Sequence, residues 1–85
     1  MSKRIVLGIQ VTNRVEKVPD VQEILTNYGC NIRTRLGLHE VSKKSCSPLG
    51  LLILDTFGDN AEVLEMEKKL RKIKGLVVKK MVFES

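Results

Sequence analysis

The chain is 85 residues long, 42% hydrophobic and 29% charged, with a formal net charge of +5. That length holds one domain, residues 1–85, burying only about 60 to 65% of the surface its unfolded chain exposes, so self-association would help it. The composition excludes a disordered chain, and no apolar run approaches the ~20 residues of a membrane span.

Met1-Ser-Lys-Arg followed by Ile5 to Val11 mimics the start of a signal peptide, but the apolar run is short, contains Gln10 and lacks a small-residue cleavage site. A cytoplasmic protein is expected, with Cys30 and Cys46 as reduced thiols rather than a bridge. The basic residues concentrate between Lys68 and Lys80 and at Lys43-Lys44, beside acidic residues rather than in one clean stripe. That distribution disfavours direct nucleic-acid binding.

Ile5, Leu7, Ile9 and Val11 alternate with Val6, Gly8 and Gln10, the period of a first strand. Asn13-Arg-Val-Glu16 has capping-box spacing, and Val15, Val18, Val21, Leu25 and Tyr28 then share one helical face, with Ile24 alongside. Pro19 is comfortable only in a first turn, which moves the regular helix toward Val18; Gly29 is expected to stop it as a C-terminal glycine. Ile32, Thr34, Leu36 and Leu38 alternate with Arg33, Arg35, Gly37 and His39 in a second strand. Ser42 to Pro48 reads as a loop. Leu49 to Leu54 is apolar at both parities apart from Gly50, which marks a strand covered on both faces.

Asp59 or Asn60 is the expected cap of a second helix, with Glu62 in its first turn. Val63, Met66, Leu70 and Ile73 form its apolar stripe, widened by Leu64, and lysines and Arg71 load its C-terminal half. Gly75 closes it. Leu76, Val78 and Val82 give a last strand whose inward set is broken by Lys80 and whose lysines suit an edge. Strand, helix, strand, strand, helix, strand predicts an α+β, ferredoxin-like βαββαβ fold: an antiparallel sheet in order 4-1-3-2 with both helices on one face.

This architecture hosts several functions. A base-stacking RNA module needs aromatics on the central strands, and only Phe57, at a strand end, is present. A heavy-metal carrier needs Cys-x-x-Cys where this chain has Thr12-Asn-Arg-Val15. Catalysis would need His39 to converge with Cys46 or Asp55, since its neighbour Glu40 points to the other face; no enzyme is expected.

Val11-Thr-Asn-Arg14, the segment from Val18-Pro through Tyr28-Gly29, Arg35-Leu-Gly-Leu38, Cys46-Ser-Pro-x-Gly50 and Gly75-Leu-Val-Val resemble the small stand-alone ACT-like proteins of the iron-only hydrogenase system regulator family. The resemblance spans nearly the whole chain. It implies an ACT-like fold and a non-enzymatic regulatory or small-ligand-sensing homo-oligomer, a dimer or tetramer, with a transcriptional or other system-regulating role and no catalytic residue. No cofactor is implied. Similarity to ACT domains places an effector, small or anionic, at the loop after the first strand, where Asn13 and Arg14 lie near the free amides of a helix start; plain capping explains Asn13 equally well.

Similarity to the metal-binding half of nickel-responsive repressors suggests an alternative, a metal-binding protein using His39 and Cys46, with Cys30 or a carboxylate completing the set. Arg33 and Arg35 could receive an anion. Finally, if Ile5, Leu7, Ile9, Leu36, Leu38, Leu51 and Ile53 face the helices, then Gly8, Gly37 and Gly50 lie on the opposite face beside Val6, Leu52 and Leu54. A second subunit or ligand would cover that face, with Arg33, Arg35 and His39 at its rim.

Overall fold

Alternation makes Arg4–Val11 the first strand, β1. In the computed structural model, which describes residues 3–12, 18–41 and 46–84 (backbone alone at 18, 38–41 and 46–49), β1 is followed by helix α1 (Val18–Asn27), a 3-10 turn (Gly29–Asn31), and strands β2 (Ile32–Val41) and β3 (Cys46–Thr56). Helix α2 (Asn60–Arg71) and strand β4 (Leu76–Phe83) complete the chain. The four strands form one antiparallel sheet in the order β2-β3-β1-β4. This is the ferredoxin-like α+β fold that the element order predicts. No helix among the described residues is long and apolar enough to cross a membrane.

Both helices cover one face of the sheet. Val21 and Leu25 of α1 and Val63, Met66 and Leu70 of α2 are buried against Ile5, Leu7, Ile9, Leu54, Leu76 and Val78. Leu64 is exposed rather than part of the stripe, because it lies a residue off the inward rows. Side-chain bonds close the seams. Asn60 holds both backbone groups of Lys3, the Thr56 hydroxyl donates to the Ile5 carbonyl at 2.6 Å, and the Thr12 hydroxyl donates to the Gly75 carbonyl at 2.6 Å.

The helix ends differ from expectation in detail. Asp59 caps α2, accepting from the Ala61 amide at 2.8 Å. The capping box proposed for Asn13 to Glu16 lies outside the described residues. Gly29 does not adopt a positive φ and opens the 3-10 turn instead of capping α1; the left-handed glycines are Gly58 and Gly75. At Gly58, φ is +93° and an added Cβ would stand 3.2 Å from the Asn31 amide nitrogen. That nitrogen is committed, donating to the Phe57 carbonyl and to Glu62.

Lys80, which interrupts the inward set of β4, has a partner on that side. Its ammonium lies 3.1 Å from Glu67, a buried carboxylate in the middle of α2 that Arg71 also holds at 2.7 Å while donating to the Val78 carbonyl. Burial pushes the Glu67 carboxyl up, but the bonds from Arg71 and Lys80 outweigh it and leave the group below its ordinary range.

The largest departure concerns which face each residue of β2 and β3 takes. Ile32 pairs with Thr56, yet Thr34 pairs with Asp55, so Arg33 is an extra residue in a bulge. Past it the phase of β2 is inverted. Arg35 pairs with Leu54 and Gly37 with Leu52 on the helix side, while Leu36 pairs with Ile53 and Leu38 with Leu51 on the other. In β3, Leu52 and Leu54 therefore face the helices, and Leu51 and Ile53 do not. The expectation that Leu36, Leu38, Leu51 and Ile53 face inward is reversed. A second irregularity skips Pro48 and Leu49, since His39 pairs with Gly50 and Glu40 with Ser47. Pro48 thus avoids a ladder position that it has no N–H to fill, and Cys46 to Pro48, expected in the loop, belong to β3.

Candidate functional site

The bulge separates two arginines that strict alternation would place side by side. Arg33 turns toward the end of the sheet, its guanidinium 4.9 Å from the centre of the Phe57 ring, a cation–π contact. Next to it, Arg4 grips Asp55 with its Nη2 at 2.6 Å from one oxygen and its Nε at 3.2 Å from the other. The hydrogen bonding from Arg4 holds the Asp55 carboxyl below its usual range, and the charge of Arg33 adds to the effect. Arg33 therefore belongs to a surface cluster at the start of β1.

Arg35 goes elsewhere. On the helix side of β2, its Nη2 donates to Gln22 Oε1 of α1 at 2.9 Å. Gly37 follows on the same side, where an added Cβ would meet Leu52 at 3.4 Å, and Gly50, buried, stands opposite His39. Gly37 and Gly50 are thus not on the face away from the helices. Of the three glycines expected there, Gly8 alone is, opposite Ile53. Arg35 likewise leaves the rim of that face.

Asn13 and Arg14 lie outside the described residues, but the flanks of their segment are defined. Before it, Val11 pairs with Leu76 of β4 and Thr12 bonds the Gly75 carbonyl; after it comes α1, whose second turn carries the Gln22 that holds Arg35. Arg35, Gly37 and Gly50 thus lie in successive rows on the helix side of β2 and β3, with Arg35 level with Leu7 in the middle of β1 and Gly50 one position past Leu51, the partner of Gln10. Gln22 was not singled out in the sequence; an amide on an exposed helix turn carries no signal until its cross-element partner is known.

For the metal alternative, the register places Cys46 opposite Val41, two residues along β2 from His39, so the two are diagonal neighbours in the ladder. Cys30 sits exposed in the 3-10 turn before β2. Seven strand residues, roughly 23 Å, separate that turn from His39, too far for a shared ion within one chain. Among the described residues no three His, Cys, Asp or Glu side chains gather to hold a metal.

No family model matches the chain, and no curated protein matches it. Among solved structures it is similar to the uncharacterized protein TM1266 from Thermotoga maritima, with a TM-score of 0.75 and 25% identity over 98% of this chain and 100% of that one. A looser likeness, at a TM-score of 0.48 and 13% identity over 99% of this chain and 96% of that one, links it to CPII, a nitrogen regulatory PII-like protein from Thiomonas intermedia K12 bound to ADP, AMP and bicarbonate.

Proposed function

We propose that this chain is a non-enzymatic, cytoplasmic, ACT-like regulatory module of the iron-only hydrogenase system regulator type, which assembles with copies of itself and senses a small anionic ligand. The observation that supports this reading most is the succession of Arg35, Gly37 and Gly50 on the helix side of the β2–β3 pair, with Arg35 held by Gln22 of α1. Glycines let a ligand approach the backbone, and the guanidinium presents five donors, one of which the bond to Gln22 uses. Gln22 fixes the side chain in advance, which lowers the cost of ordering it around an anion.

Native mass spectrometry of freshly purified protein identifies any retained molecule. Thermal melts with inorganic phosphate, nucleotides, amino acids and dicarboxylates then test the site. A ligand at 100 times its Kd contributes about 2.7 kcal/mol, which in a domain of this size raises Tm by about 10 °C or more. Arg35→Gln is expected to remove most of that rise while leaving the unliganded Tm within about 2 °C. If no probe shifts the wild type and nothing is retained, the sensing role is wrong.

The diagonal placement of His39 and Cys46 favours a second reading, a metal-binding protein in which those two residues supply the soft and borderline ligands. Calorimetric titration with zinc, nickel and cobalt separates it from the first. On this reading at least one ion binds tighter than about 10 μM, and binding is lost in His39→Ala and Cys46→Ser; an untagged wild type with no such affinity ends it.

A further inference from the structure

The sheet face away from the helices reads, row by row across β2, β3, β1 and β4, as Thr34-Asp55-Val6-Met81, Leu36-Ile53-Gly8-Lys79 and Leu38-Leu51-Gln10-Val77, with Arg4 and Phe83 beyond. Leu36 is 52% exposed, Met81 55% and Phe83 51%, and Leu51 and Val77 are also exposed. We infer that this face is the seat of a second copy of the chain, packed sheet on sheet about a two-fold axis, an inference that rests on the homo-oligomeric part of the function proposed above.

Area, charge and edges each point to a second copy. Four strands about 4.8 Å apart and some seven residues along them give a footprint of roughly 500 Å², which side-chain relief raises toward the ~800 Å² per partner of a standard interface. Thr34, Asp55, Gln10 and Lys79 interrupt that footprint, but Leu36, Leu51, Ile53, Val77, Met81 and Phe83 carry apolar surface across all of its width, and an exposed apolar patch rimmed by polar groups marks an interaction site.

In an isologous interface each surface meets itself, so a charged face repels its copy and a charge-poor one does not. The chain as a whole carries +5, but on this face Arg4 and Asp55 neutralise one another, and the remaining cations among the described residues stand at its margins, Lys79 on the outer strand and Arg33 at the sheet end over Phe57. The edges do not offer an alternative route. Lys79 and Lys80 guard β4, and the bulge with Arg33 and Arg35 guards β2, the usual devices against strand-to-strand pairing.

The face also has a socket. A Cβ added at Gly8, in the middle row of β1, would meet nothing closer than Ile53 Cδ1 at 4.0 Å. Two sheets packed about 10 Å apart interdigitate their side chains, and a glycine between Ile53 and Lys79, with Met81 on the diagonal, leaves room for one from the opposing copy. The same openness means that the single chain tolerates a side chain at position 8, which separates assembly from folding.

Light scattering on the full chain therefore decides. The wild type is expected at twice the 9.6 kDa chain mass or at a multiple of that dimer. Gly8→Lys is expected to weaken self-association at least 100-fold with an unchanged circular dichroism spectrum. Met81→Lys, at an exposed position, is expected to do the same and covers the case in which Gly8→Lys does not fold. Arg35→Gln, off this face, keeps the wild-type mass. A wild type that is monomeric at ~100 μM overturns the inference and the homo-oligomeric reading, leaving ligand sensing to its own melts. A wild-type oligomer that persists in both lysine variants overturns the sheet-on-sheet interface alone.

Discussion

Leu7→Ala is expected to cost about 2 to 5 kcal/mol, because it opens a cavity at the centre of the core. Leu7 has no exposed surface, lies on a central strand and is flanked by Leu54 on β3 and by Lys80 on β4, under the apolar stripes of both helices. The surroundings cannot collapse into the gap without moving backbone that is hydrogen-bonded on both sides. Small domains hold only about 5 to 15 kcal/mol in total, so the variant loses a large share of it. Urea denaturation in the monomeric Gly8→Lys background measures the effect directly. Leu36→Ala in that background is expected to change stability by about 0.5 kcal/mol or less, since its side chain lies on the open face. Equal costs for the two leucines would contradict the assignment of faces.

The second large effect concerns a charge. Replacing both Lys80 and Arg71 by alanine strips the buried Glu67 of its cations, and is expected to cost about 3 kcal/mol at pH 7; the exposure of both cations keeps the figure at the low end of the range for a stranded buried charge. The pH dependence identifies the cause. In the wild type the folded carboxyl titrates below its ordinary value near 4.5, so its stabilising contribution is present above that value and is lost as the pH falls through the lower folded one. In the double variant burial acts unopposed and pushes the carboxyl up, so protonation on acidification relieves the penalty. The deficit should shrink between pH 7 and pH 4. A deficit that is constant with pH would assign the loss to the aliphatic stems of Lys80 and Arg71. Adding Glu67→Gln to the double variant should recover much of the loss at neutral pH.

Much of this fold is legible in the residues because β1 and α2 obey their periods without interruption: Ile5, Leu7 and Ile9, then Val63, Met66 and Leu70, are inward as their spacing requires. Glu67 is not legible, since it reads as one more charge in an α2 rich in charge, and the reason for its burial is a lysine on another element. Lys80 looks like a break in the last strand for the same reason. The faces of β2 and β3 fail for a different cause. Leu49 to Leu54 is apolar at both parities and contains no phase information, so the assignment of both strands hung on the alternation from Ile32, which is valid only as far as Arg33. The candidate site inherits that error: Arg33, Arg35, Gly37 and Gly50 are one row in a strict alternation, whereas in the fold Arg33 departs for Phe57 and the others turn toward α1.

The single additional residue at Arg33 makes β2 tolerant of its own length at one point. Thr34 to Leu38 keep their partners on β3 whether or not a residue is tucked in after Ile32, so deleting Arg33 would close the bulge and leave Arg35 and Gly37 on the helix side and Leu36 on the open face. A residue lost between Thr34 and Leu38, with the bulge kept, would instead shift the phase of everything beyond it and exchange the two surfaces. One codon thus has opposite consequences a few positions apart: it is silent for the faces where the strand already carries a spare residue, and it inverts them where the strand does not.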